Sequence, residues 1–95
     1  MNFELSLKIE KFLENLITKQ NLSKNTFVSY KNDIKQFFEI IDVSNLESLD
    51  EKKVVFYVNY LSINYSPTSH CRKLSSLKSF FNFLSDRKYI TNNLF

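Results

Sequence analysis

A chain of 95 residues in which 43% are hydrophobic has room for one small core, and it is built without glycine, with one proline and with ten phenylalanines. That composition argues against a hairpin-built sheet, whose tight turns draw on Gly or Asn-Gly, and the lone Cys71 excludes an internal disulfide. The net charge of +3 is modest but unevenly placed, because residues 66–95 carry five basic side chains against one acidic, a concentration suited to a polyanionic partner.

The N-terminus has no basic stretch leading into an apolar run, and no segment is long enough to span a bilayer. A cytoplasmic protein without membrane attachment is expected. From Phe3 to about Lys19, Leu5, Ile9, Phe12, Leu13, Leu16 and Ile17 recur at spacings of three and four, which predicts a first amphipathic helix. Ser23 is a good N-cap for a second helix from Lys24 to about Ile41, whose stripe reads Phe27, Tyr30, Ile34, Phe37, Phe38 and Ile41. Residues 42–49 hold polar turn formers and no sustained period.

Asp50 followed by Glu51 gives a cap and first-turn negative charge for a third helix to about Ile63, burying Val54, Val58 and Leu61. Its Val-Val-Phe-Tyr-Val run has β propensity, so a strand competes, although a lone strand would have nothing to pair with. Ser66-Pro67 then opens a fourth helix to about Asp86, with Leu74, Leu77, Phe80, Phe81 and Leu84 facing inward. The predicted fold is an all-α, compact four-helix bundle with a short terminal turn, occupying residues 1–95 as one domain.

The outward face of the fourth helix is made of Thr68, Ser69, Arg72, Ser75, Ser76 and Ser79, with Lys73 and Lys78 alongside. Serine is a mediocre helix former, so a row of serines is an unusual choice for a face that needs only solubility. Small hydroxylated side chains let a helix approach another surface and offer hydroxyls to phosphate oxygens, and Arg72 is long enough to reach a base edge. The second helix is similar: Asn25, Thr26, Ser29, Asn32, Lys35 and Gln36 line its outer face beside Lys24 and Lys31, and its first turn has free N–H groups that suit a phosphate. The alternative for both is a solvated polar face.

His70 and Cys71 are adjacent and point about 100° apart on a helix, and with no other Cys or His in the chain no structural metal site and no cofactor is expected. They are read as a His and a thiol at the edge of the core. Tyr30, Tyr57, Tyr60, Tyr65 and Tyr89 are read as amphipathic core and interface residues, since activating a tyrosine for phosphoryl transfer needs a cluster of cations.

The block Leu22-Ser-Lys-Asn-Thr-Phe-Val-Ser-Tyr-Lys-Asn-Asp33, preceded by Ile9-Glu-Lys-Phe-Leu-Glu-Asn-Leu16, resembles the opening of a Xer-type tyrosine recombinase of the phage-integrase family. The second block, Arg72-Lys-Leu-Ser-Ser-Leu-Lys-Ser-Phe-Phe81, is similar to that family's helix at the matching distance downstream. The resemblance implies a SAM-like core-binding domain, one jaw of a clamp that lays its second and fourth helices across double-stranded DNA. It further implies other recombinase subunits on the same DNA, strand exchange by a C-terminal catalytic domain absent from this chain, and a non-catalytic role for these residues. Thr26, Ser29, Asn32 and Lys35, and Thr68, Ser69, Arg72, Lys73 and Ser76, are the DNA-contact positions carried over; Lys24 and Asn25 join them from the face analysis. Two other classes stay open: a protein-interaction bundle, and a small helical DNA-binding regulator.

Overall fold

The computed structural model describes residues 3–43 and 45–95, without the Gln20 side chain; Ser44, inside the predicted loop, lies outside the described residues. Among those residues the chain forms four helices, α1 (Phe3–Gln20), α2 (Lys24–Ile40), α3 (Glu51–Asn64) and α4 (Pro67–Asp86), plus a 3-10 turn at Leu46–Ser48. No strand occurs among them. The β-prone run in α3 is helical because its backbone bonds close locally, and Tyr57 and Leu61 gain a core that a lone strand could not reach.

The helix ends follow from their caps. Ser23, Asp50 and Ser66 each accept a hydrogen bond from the amide three residues on, at Thr26, Lys53 and Ser69, and Pro67 takes the position where no N–H is needed. The Lys53 amide donated to Asp50 is the main reason that carboxyl lies below its usual range. Without glycine, the left-handed residues that end α1 and α4 are Asn21 (φ 48°) and Lys88 (φ 61°). At Lys88 the amides of Lys88 and Tyr89 donate to the carbonyls of Ser85 (3.0 Å) and Leu84 (2.9 Å), a Schellman closure that glycine fits without a Cβ clash. Lys88→Gly should therefore stabilise the fold by about 1 kcal/mol. A melting temperature that stays level or falls would show that the lysine side chain matters more than the backbone.

α2 and α4 are the central pair; α1 packs on both, and α3 on α4. The core between them is aromatic. Phe12 meets Phe80 and Phe83 at 5.3 and 5.4 Å, Phe37 meets Tyr57 edge-on at 4.8 Å, and Phe95 closes over Phe81 at 4.8 Å. The radius of gyration of 12.9 Å is that of a close-packed body this size.

Some of the inward assignments change. Tyr57, not Val58, is the central buried residue of α3, because its ring fills the space beside Phe37. Ile17 lies exposed on α1, and Phe27, Tyr30 and Leu74 are only half-buried. Cys71 is fully on the surface, whereas His70 does sit at the core edge.

Candidate nucleic-acid interface

Between the first halves of α2 and α4 runs an open groove lined by Asn25, Thr26, Ser29, Tyr30, Arg72, Ser75 and Ser76. Each helix start beside it is capped: Ser23 binds the Thr26 hydroxyl (2.9 Å) and amide (3.2 Å), and Ser66 accepts from the Ser69 amide (3.3 Å). The serine spacing on α4 and the Asn-Thr-Ser spacing on α2 thus present short hydroxyl and amide groups across one channel. Lys24, Asn32 and Thr68 stand exposed on the same helices without lining it, and Ser69 is half-buried.

The floor of the groove is a buried ionic seam. Asp33 is 1% exposed and its carboxylate accepts from three side chains of α4: Arg72 Nη1 at 2.8 Å and Ser76 Oγ at 2.7 Å on Oδ2, and Lys73 Nζ at 3.3 Å on Oδ1. Lys73 also donates to Gln36 Oε1 at 2.6 Å and lies 4.8 Å over the Tyr65 ring, while Gln36 Nε2 donates to the Tyr65 hydroxyl at 2.6 Å. One carboxylate faces two cations, so the seam keeps a unit of positive charge beneath the groove.

This seam corrects the face assigned to α4. Lys73 and Ser76, placed outward by the helical period, are buried against Asp33, because an interhelical carboxylate can draw a lysine stem and a serine into a cleft that periodicity alone assigns to water. Arg72 is paired as well: its acid comes from α2, not from its own helix, and its side chain is still 48% exposed. Among the described residues its remaining guanidinium donors have no protein partner. Asp33 was visible only as the last residue of the Leu22–Asp33 block. A lone carboxylate facing a basic helix was the signal that could have found it.

Lys35 and Lys31 belong to a second groove, between α1 and α2, whose floor is Ile9, Leu13, Ile17 and Phe27 and whose other wall carries Glu10 and Glu14. Lys35 is therefore not gathered with Arg72. Of the tyrosines, Tyr57 has a buried hydroxyl with no hydrogen-bond partner among the described residues, and burial, reinforced by the charge of Asp33, pushes its pKa far up, the reverse of an activated nucleophile. Among the described residues no three His, Cys, Asp or Glu side chains gather into a metal-binding group, and no helix is long and apolar enough to cross a membrane.

Four helices with this packing make a SAM-like bundle, and the profile of the family described as phage integrase, N-terminal SAM-like domain, matches residues 9–88. The chain belongs to that family, the N-terminal SAM-like domains of tyrosine recombinases. It is 33% identical over 99 residues to Tyrosine recombinase XerC of Anoxybacillus flavithermus, an alignment that covers 100% of this chain and 32% of the relative. It is 29% identical over 91 residues to a Tyrosine recombinase of Agathobacter rectalis (96% and 30% covered) and 33% identical over 88 residues to Tyrosine recombinase XerD of Rickettsia bellii (90% and 29%). The chain thus spans about a third of the length of the curated relatives it matches. No solved structure matches it significantly.

Proposed function

We propose that this domain grips duplex DNA through the α2–α4 groove, as one jaw of a site-specific tyrosine recombinase that works with other subunits on the same DNA. In this reading strand cleavage and rejoining are performed outside the SAM-like domain, and these residues bind without chemistry. The observation that carries it is Arg72: a half-exposed guanidinium in a groove of small hydroxyls and amides, over a seam with excess positive charge. Phosphates are met by Lys24, the Thr26 end of α2, and Thr68 and Ser69; Asn25, Ser29 and Asn32 follow along the groove, and Arg72 reads a base edge. Lys73 and Ser76 act from beneath, by holding the groove wall.

Arg72→Ala should lower affinity for a preferred duplex more than for random duplex, by about 1 to 3 kcal/mol of discrimination. Lys78→Ala should lower both together. Equal losses for Arg72→Ala on both duplexes would make it a phosphate contact, and no loss on either would remove α4 from the interface.

Lys24, Lys31 and Lys35 supply affinity without sequence preference, and each replacement by Ala should reduce the slope of log affinity against log salt by about one. Because Lys31 and Lys35 sit on the α1 side of α2, they require the DNA backbone to cross that helix. An unchanged slope for these two with a reduced slope for Lys24→Ala would confine the duplex to the α2–α4 groove.

A further inference from the structure

We infer that Asp33 is a positioning residue for DNA recognition, a role that rests on the DNA-gripping reading above: its buried carboxylate sets the direction of the Arg72 guanidinium before any DNA arrives. An arginine alone on an exposed helix face samples many rotamers, and ordering it on binding weakens the complex. Arg72 instead meets a fixed anchor. Asp33 is held from the inside by Ser76 and Lys73, and Lys73 is fixed in turn by Gln36 and the Tyr65 ring, so the carboxylate cannot follow the arginine outward.

The charge arrangement explains why this anchor does not cancel the arginine. Lys73 shares the Asp33 charge from the protein side, so the bond to Arg72 Nη1 orients the guanidinium without making the pair neutral. The other donors meet no partner among the described residues and face an acceptor in the groove. A second set of residues holding the recognition side chain in place is what precise binding geometry requires.

Removing Asp33 alone would strand a buried Lys73, so the test removes both charges. Asp33→Leu keeps the branching at Cγ, Lys73→Met keeps an unbranched stem beside Tyr65, and Ser76 retains the Arg72 carbonyl, 3.3 Å away, as an acceptor. Lys73→Met alone is the control, because Arg72 keeps its carboxylate there. Two readouts are taken on each protein: nitrogen relaxation of the Arg72 side-chain N–H groups, and the ratio of affinities for a duplex enriched by the wild-type domain from a randomised pool over its scrambled counterpart.

The expected result is an ordered Arg72 in the wild type and in Lys73→Met, a mobile one in Asp33→Leu/Lys73→Met, and a fall in preference of about 5- to 150-fold, the loss given by Arg72→Ala. Adding Arg72→Ala to the double variant should cost no further preference. Should Asp33→Leu/Lys73→Met not fold, Asp33→Asn/Lys73→Met carries the same comparison with a smaller loosening. An Arg72 that stays ordered in the folded double variant, or one that becomes mobile while the preference is kept, overturns the positioning role and leaves DNA binding standing. A wild-type domain that binds no duplex overturns the DNA-gripping reading, and the positioning role with it, even with Arg72 ordered; one that binds all duplexes equally overturns the positioning role alone.

Discussion

Asp33→Ala is expected to destabilise the fold by about 3 to 5 kcal/mol, because it leaves the Lys73 ammonium buried with only the Gln36 carbonyl and the Tyr65 ring as partners. A domain this small has roughly 5 to 15 kcal/mol in hand, so this variant should be close to unfolding at room temperature. Adding Lys73→Met should recover most of the loss, since the hydrophobic pair no longer demands a counter-charge. Denaturant melts of the two single variants and the double variant measure the coupling. Losses that simply add would show that Lys73 reaches water when Asp33 is gone, and that the seam contributes little to holding α2 against α4.

Phe81→Ala should be comparably severe, at about 3 to 5 kcal/mol. The ring is 2% exposed and touches Phe80 at 5.5 Å, Phe37 at 6.2 Å and Phe95 at 4.8 Å. Its removal opens a cavity bounded by other rings that α2 and α4 already hold in place, so little collapse can fill it. A thermal melt that matches wild type would mean that Phe95 and the tail swing in to occupy the space.

The helices were legible because each boundary has a local cause. Ser23, Asp50 and Ser66-Pro67 mark their own helix starts, and the three- and four-residue spacings Ile9-Phe12-Leu16, Ile34-Phe37-Ile41 and Leu77-Phe80-Leu84 mark the inward faces. What periodicity could not supply was the partner across the helix pair. Lys73 and Ser76 sit at outward-reading positions, yet Asp33, forty residues away in the chain, draws them in. The Arg72 salt bridge has the same origin: its acid stands on the neighbouring helix, where the three- and four-residue spacings along α4 do not reach. Val58 and Tyr57 on α3 exchanged roles because the stripe rule weighs hydrophobicity, whereas a tyrosine ring against Phe37 fills more volume than a valine.

The gathering of Asn25, Thr26, Ser29 and Arg72 into one channel likewise depends on how α2 crosses α4, which no single helix encodes. The separation of Lys35 from Arg72 has the same origin. Two helix faces that look alike in sequence need not look the same way in space.

DNA gripping by the α2–α4 groove is tested by a chemical-shift titration of the labelled domain with duplex DNA at two salt concentrations. Shifts should concentrate on Asn25, Thr26, Ser29, Ser69, Arg72 and Ser75, with affinity falling steeply as salt rises. Shifts confined to the exposed apolar side chains of α3, Val55, Phe56 and Ile63, or a complex indifferent to salt, would contradict it.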